Sequence, residues 1–141
     1  MAESLRERAE RYLLPVRQRH EMWRLSGQGL GAEEIAARIN ARVGWVESTL
    51  RYMREEPQRY LESTPQEVGW RCAVGEISRE EMMEQLRSWP YTFAEHHEDV
   101  VVRGTWDEVR DLEFDGFLTR EEFRELSQIT RERRRELGLS R

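Results

Sequence analysis

Residues 32–52 carry a helical pattern of apolar side chains that is interrupted once and then resumes. The pattern has the 3.6-residue spacing of one helix face on both sides of the interruption. Its residues are Ile35, Ala36, Ile39, Ala41, Val46, Thr49 and Leu50. Asn40 lies at the interruption, and asparagine tolerates the left-handed backbone conformation better than most residues other than glycine. The pattern therefore predicts two short helices joined by a tight turn, the second running from about Val43 to Glu55.

These residues resemble the helix-turn-helix family of DNA-binding domains. Ala36 is the small residue that lets the two helices approach, and Asn40 follows four places later, where glycine is usual. Ala41, Val46 and Thr49 would hold the second helix against the first. The resemblance covers about 35 residues and implies a second helix that enters the major groove of DNA. A three-helix core with a purely structural role is the alternative.

The second predicted helix would present polar side chains to the duplex. The candidate DNA-binding residues are Arg38, Arg42, Gly44, Trp45, Glu47, Ser48, Arg51 and Arg54, and the candidate phosphate contacts are Arg17, Arg19 and Arg54. Arginine can pair with two acceptors of guanine and glutamate can accept from the amino group of cytosine, each good pair contributing about 1–3 kcal/mol. Two other interpretations stay open: a merely solvated helix face, and a Trp45 that packs on a neighbouring helix.

Charge is distributed unevenly along the 141 residues. Residues 1–61 hold 11 arginines and 9 acidic residues, residues 62–130 hold 7 and 17, and residues 131–141 hold 5 and 2, giving charges of +2, −10 and +3. A phosphate backbone would attract the first part and repel the middle. We therefore predict two domains, residues 1–61 and 62–141. All 23 basic residues are arginine, a bias that indicates a GC-rich bacterium, a phage or a mobile element.

The first domain should begin with a leading helix over residues 4–14. Ser4 and Glu7 have the spacing of a capping box at its start, and Pro15 should break or restart the helix. The next helix should run from Val16 to Leu25. Three glycines between residues 26 and 31 predict a loop.

The second domain contains an internal repeat with an offset of 41 residues. The identical pairs are Thr64 and Thr105, Glu67 and Glu108, Val68 and Val109, Gly75 and Gly116, Arg79 and Arg120, Glu80 and Glu121, Glu81 and Glu122, and Glu84 and Glu125. Each copy, about 64–88 and 105–137, predicts a helical hairpin.

The same local signals recur in both copies. Capping boxes should open the helices at Thr64, Ser78, Thr105 and Thr119, while Gly75 and Gly116 should adopt left-handed conformations at helix ends. Between the copies, Trp89, Tyr91 and Phe93 should pack into the cleft between the hairpins, and residues 100–102 should be extended. Gly138 should end the last helix, and the tail over residues 131–141 is either an ordered helix end or a loose basic arm.

Three further groups of residues have spacings or side chains that could support metal binding or catalysis. The spacing of Asp111, Glu113, Asp115, Gly116, Leu118 and Glu122 resembles that of a calcium-binding EF-hand loop. A turn between helices is favoured, because glutamate replaces the usual third ligand and the other repeat copy lacks ligands. His96 and His97 lack the partner motifs of a zinc site. Cys72 lies on a predicted helix without a nearby histidine, which favours a small core residue over a nucleophile.

We accordingly predict an all-α protein with an N-terminal trihelical helix-turn-helix domain followed by two repeated helical hairpins. The predicted function is sequence-specific binding of double-stranded DNA by a small transcriptional regulator, with no enzymatic activity, no cofactor and no metal. The acidic hairpins would hold a protein partner or a second protomer. The alternative is a helical adaptor that binds a protein through those hairpins. A single cysteine and no long apolar run predict a cytoplasmic protein without a membrane span.

Overall fold

The computed structural model describes residues 2–138 and confirms an all-α fold with one small sheet. The helices are α1 (Leu5–Gly27), α2 (Ala32–Ile39), α3 (Val43–Glu55), α4 (Pro57–Leu61), α5 (Pro65–Ala73), α6 (Arg79–Ser88), α7 (Trp106–Phe114) and α8 (Arg120–Glu136), and the strands are β1 (Glu95–His97) and β2 (Val100–Val102). The chain forms two compact units. The smaller unit is residues 10–63, and the larger unit comprises residues 2–9 with residues 64–138 among those described.

The first helix does not stop at Pro15. α1 runs without a break from Leu5 to Gly27, so the prediction of a broken or restarted helix was wrong. Proline removes one intrahelical hydrogen bond, but Pro15 is exposed, where water can replace the lost bond. Ser4 does cap the start of the helix, because its hydroxyl oxygen accepts a hydrogen bond from the backbone N–H of Glu7 (3.1 Å).

The smaller unit has one apolar core that joins α1, α2 and α3. Its buried residues are Met22, Leu25, Ile35, Ala36, Val46, Leu50 and Met53. Half-buried apolar residues, including Tyr60 and Leu61 of α4, pack against this core. The core thus uses the apolar face that the interrupted pattern predicts.

In the larger unit, α5 packs against α6 and α7, and α8 packs against α6 and α7. Val68 of α5 and Val109 of α7, which the repeat relates, are both buried. α5 and α7 come close together at Gly69: a Cβ atom there would lie 2.4 Å from Cδ2 of Leu112. Glycine at this position therefore allows the two helices to approach.

Capping boxes open α6 and α8, as the sequence predicts. The Ser78 hydroxyl accepts from the backbone N–H of Glu81 (3.1 Å), and the Thr119 hydroxyl accepts from that of Glu122 (3.1 Å). In both cases the glutamate accepts from the N-cap backbone N–H in return. Gly75 and Gly116 have φ values of +83° and +88°, so the predicted left-handed conformations are confirmed.

Thr105 and Glu108 do not form the capping box that their spacing predicts. Thr105 has helical backbone angles and caps nothing with its side chain. Its hydroxyl oxygen accepts a hydrogen bond from the backbone N–H of Thr92 (2.9 Å), and the Glu108 carboxylate accepts from the backbone N–H of Gln66 (3.3 Å). The prediction was wrong because these distant partners replace the local ones.

The segment between α6 and α7 combines a β-hairpin with packed aromatic side chains. β1 pairs antiparallel with β2, which confirms the predicted extended segment. The ring of Tyr91 meets that of Trp106 edge to face, with centroids 5.0 Å apart, and its hydroxyl donates to the carbonyl of Leu86 (2.7 Å). Burial raises the pKa of Tyr91.

The end of α8 follows its sequence signal. The helix ends at Glu136, and Gly138 has a φ of +74°, so the predicted glycine stop is confirmed. The predicted tail is therefore helical from Arg131 to Glu136, whereas residues 139–141 lie outside the described part of the chain.

Candidate nucleic-acid interface

A three-residue turn fixes the geometry of α2 and α3. Asn40 has the left-handed angles φ 55° and ψ 52°, as predicted, and the backbone N–H of Ala41 donates to the carbonyl of Ala36 (3.0 Å). Ala36 is buried, so the small side chain lies where the helices meet. α3 then spans Val43–Glu55, the range that the pattern predicts.

The core determines which face of α3 points outward. Val46, Leu50 and Met53 are buried against α1 and α2. Because an α-helix turns by about 100° per residue, the opposite side is the row of Gly44, Ser48, Arg51 and Glu55. Gly44, Arg51 and Glu55 are exposed and Ser48 is half-buried. By the same geometry Glu47 and Arg54 flank this row on one side, and Trp45 and Tyr52 flank it on the other. We call the whole set the outward face of α3.

The N-terminal end of α3 suits an anionic ligand. Arg42 stands at the N-cap, no side chain caps the helix, and no acidic residue occurs in the first turn. The first N–H groups of a helix have no intrahelical partners, and the helix dipole adds partial positive charge there. Gly44 leaves this end open, because a Cβ atom at that position would meet no other atom within 4 Å.

The arginines of the smaller unit differ in what they contact. Arg51 is exposed, and its guanidinium carbon lies 5.4 Å from the ring centre of Tyr52. Arg54 donates to the hydroxyl of Ser26 (3.2 Å). Arg38 is exposed at the end of α2 and lies within electrostatic reach of Glu21. The hydrogen bond from Arg24 is the main cause that lowers the pKa of Glu21, and the charge of Arg38 lowers it further.

Some of the candidate side chains also form hydrogen bonds within the smaller unit. The Ser48 hydroxyl donates to the carbonyl of Gly44 (2.8 Å), one turn earlier in the helix. Arg19 is half-buried, and its Nε donates to the carbonyl of Tyr60 (3.3 Å), so it connects α1 to α4. Trp45 is 38% exposed, and Arg17 is also exposed. Of the candidate phosphate contacts, Arg17 and Arg54 are thus exposed, and Arg19 is partly enclosed.

A surface feature beside α3 was not predicted from the sequence. The rings of Tyr52 and Tyr60 stack with centroids 6.4 Å apart, and Tyr52 is 48% exposed. Arg51 lies over the first ring and Arg59 over the second, with Cζ 5.5 Å from the Tyr60 centroid. The short helix α4, which begins at Pro57, brings these side chains together, and no local spacing indicates that contact.

Two of the acidic residues that resemble a calcium loop, Asp111 and Glu122, are held by other partners. Asp111 and Glu113 lie within α7, and the Asp111 carboxylate accepts from Arg103 (2.9 Å). Glu122 caps α8 and pairs with Arg79. His96 and His97 are consecutive in β1, so their side chains point to opposite faces of the strand. No cluster of three metal-binding side chains occurs within residues 2–138.

Cys72 is a half-buried residue of α5. Burial raises the pKa of its thiol, so the reactive thiolate is disfavoured at neutral pH. This environment is that of a packing residue and does not favour nucleophilic chemistry.

Comparisons of the chain with protein-family models, curated protein sequences and solved structures give no match. None of the helices described between residues 2 and 138 has the length and apolar character that crossing a membrane requires.

Proposed function

We propose that the smaller unit is a helix-turn-helix domain that binds double-stranded DNA through α3. The observation that carries the proposal is the exposed outward face of α3, which a left-handed turn and a shared core hold in one orientation. A preorganised helix with exposed arginines is the arrangement that reads base edges in the major groove. Regulation of transcription is the role that we propose for such binding.

The side chains of this face have separable roles in the proposal. Arg51, in the middle of the outward row, would pair with guanine, and Glu47 would accept a hydrogen bond from cytosine. Arg42 and the free N–H groups at the start of α3 would bind phosphate. Gly44 would let the helix backbone approach the duplex closely, since it has no side chain.

The charge of the larger unit limits where DNA can bind. Residues 62–130 carry 17 acidic residues and 7 arginines, so phosphates are repelled there. The proposed contact with DNA is therefore confined to the smaller unit. The acidic helices of the larger unit would hold a protein partner or a second protomer.

A protein-binding adaptor is the second candidate function. It is favoured by Val100, Val101 and Val102 of β2, which are 61%, 54% and 52% exposed in a strand of a two-stranded sheet. Exposed apolar strands can pair with a strand from another chain. Under this alternative the smaller unit is only a scaffold.

The first function requires binding to DNA that weakens as the salt concentration rises, and the adaptor function does not. The test is fluorescence anisotropy of a labelled random duplex with the full chain, titrated at several salt concentrations. Phosphate contacts should give an affinity that falls steeply with salt, and Arg42→Ala should reduce the slope of log K against log salt by about 1. Arg124→Ala is the control, because it removes one exposed arginine from the larger unit.

Base recognition is tested by selection from a pool of randomised duplexes. On the selected sequence Arg51→Ala should weaken binding by about 1–3 kcal/mol, while its effect on random DNA should be smaller. If the full chain does not bind duplex at ~50 mM salt, where phosphate contacts are strong, the DNA proposal is wrong. The adaptor function is then the one to pursue.

A further inference from the structure

The larger unit contains an open cleft of about 720 Å³ beside α7 and α8. Four aromatic side chains line it: Phe93, Trp106, Phe114 and Phe123. Its size lies within the range of about 300–1,000 Å³ that is typical of small-molecule sites. The cleft therefore has room for a ligand with one or two aromatic rings.

The aromatic wall is built around Trp106. The rings of Trp106 and Phe123 are stacked, with centroids 5.8 Å apart and planes at 24°. Phe93 lies on another side, with its centroid 6.5 Å from that of Trp106. Phe114 is 87% exposed, which is unusual for so large an apolar side chain. A planar apolar ligand would cover part of this exposed surface.

Three arginines line the same cleft: Arg110, Arg131 and Arg134. The guanidinium carbon of Arg134 lies 4.0 Å from the ring centre of Phe93, and its buried Nε has no hydrogen-bond acceptor within the described chain. The Nε of Arg131 donates to a backbone carbonyl, that of Ser127 (3.4 Å). Arg110 is exposed, and no ion pair joins it to another residue of the described range 2–138.

None of these three arginines pairs with a carboxylate of the described residues, although residues 62–130 hold 17 acidic residues. Elsewhere in the larger unit Arg79 pairs with Glu122, and Arg87 pairs with Glu125. Two acidic residues do line the cleft, but Asp111 is already paired with Arg103 (2.9 Å). Glu113 is the second acidic residue that lines the cleft. The positive charge of three arginines thus exceeds the negative charge left for them.

We propose that this cleft binds a small aromatic carboxylate. The aromatic wall would stack against the ring system of the ligand, and the arginines would bind its carboxylate by charge-assisted hydrogen bonds. Arginine suits this role because its planar fork matches the two oxygens of a carboxylate. The proposal concerns the larger unit alone and does not depend on DNA binding by α3.

The experiment uses calorimetric titration of the full chain with 1-naphthoate. The matched control ligand is 1-naphthalenemethanol, which keeps the rings and lacks the charge. We expect naphthoate to bind with a Kd below about 1 mM and the alcohol to bind at least about tenfold more weakly, since a hydrogen bond to a charged group is the stronger kind.

Variants test whether the arginines and the acidic residue act as proposed. Arg131→Gln and Arg134→Gln should each weaken naphthoate binding by about tenfold and leave the alcohol almost unchanged. Glu113→Gln should tighten naphthoate binding, because it removes a like charge. Arg124→Gln is the control, since Arg124 is exposed on α8 and does not line the cleft.

The binding position is tested separately with protein that carries 5-fluorotryptophan. The chain has five tryptophans, and the Trp106→Phe variant identifies the ¹⁹F resonance of Trp106. Naphthoate should shift that resonance and leave the resonances of Trp23 and Trp45 in place. The proposal is overturned if naphthoate and the alcohol bind equally, if neither binds, or if binding leaves the Trp106 resonance unmoved.

Discussion

Replacing Gly44 with glutamate should stabilise the smaller unit and at the same time weaken DNA binding. There is space for the side chain, because a Cβ atom at Gly44 would meet no other atom within 4 Å and the backbone φ there is not positive. Removing a helical glycine gains up to about 0.5–1 kcal/mol. A carboxylate in the first turn of α3 gains about 0.3–1 kcal/mol from the helix dipole. Together we expect the free energy of unfolding to rise by about 1 kcal/mol.

The same carboxylate would lie where the proposed duplex approaches. At a separation of about 6 Å, two like charges repel by about 0.7–3 kcal/mol for effective dielectric constants between 80 and 20. That cost corresponds to a loss of affinity of about threefold to more than a hundredfold. Urea denaturation measures the stability and fluorescence anisotropy with a duplex measures the affinity. Gln28→Glu is the control, because it adds the same charge at an exposed loop position of the same unit.

If Gly44 lies at the DNA interface, Gly44→Glu should raise the free energy of unfolding and lower the affinity for DNA. If Gly44→Glu binds duplex as tightly as Gln28→Glu does, the outward face of α3 does not contact DNA. If the substitution lowers the free energy of unfolding, the N-terminal end of α3 does not stabilise a carboxylate as we expect. A scaffold without DNA contacts would show the gain in stability alone.

Three further outcomes follow from the geometry. Asn40→Gly should leave the stability of the smaller unit unchanged or slightly higher, whereas Asn40→Val should lower it by about 1–2 kcal/mol in urea denaturation, because φ is 55° there. Gly69→Ala should lower the stability of the larger unit by about 1–3 kcal/mol, since its Cβ would overlap with the buried Leu112, while Gly27→Ala, with open space in the smaller unit, should not lower the stability of that unit. Burial raises the pKa of Glu108 above its ordinary value of 4.5, because the folded state disfavours the charged carboxylate. The free energy of unfolding should therefore fall as the pH rises from the ordinary pKa through the raised one. Glu108→Gln keeps an acceptor for Gln66 and should flatten that part of the profile of unfolding free energy against pH; an unchanged profile would contradict the assignment.

The features that the sequence predicted correctly depend on near neighbours. The range of α3, the left-handed Asn40, the positive φ of Gly75 and Gly116, and the capping boxes of α6 and α8 all arise within a few residues. Such signals concern one turn of the chain, and the physical chemistry of that turn is enough to determine them. The exposure of most candidate residues on α3 follows from the same periodicity.

The features that were missed depend on residues far apart in the chain. The Thr105 hydroxyl accepts a hydrogen bond from the backbone N–H of Thr92 instead of capping α7, and the Nε of Arg19 donates one to the carbonyl of Tyr60. The cleft is formed by Phe93 together with residues of α7 and α8, including Arg134, which the sequence indicated only as part of a basic tail. No spacing within one element shows that these side chains meet, because packing brings them together.

The course of α1 has a mechanical consequence. The helix begins in the larger unit and continues into the smaller one, and the chain returns to the larger unit at Thr64. Both ends of the described chain therefore belong to the same unit. A stretching force applied across residues 2–138 would be carried first by the larger unit, and tension would reach the smaller unit only after residues 2–9 had been pulled away. In a force-extension experiment the smaller unit should therefore lengthen second, whichever of the two is the more stable.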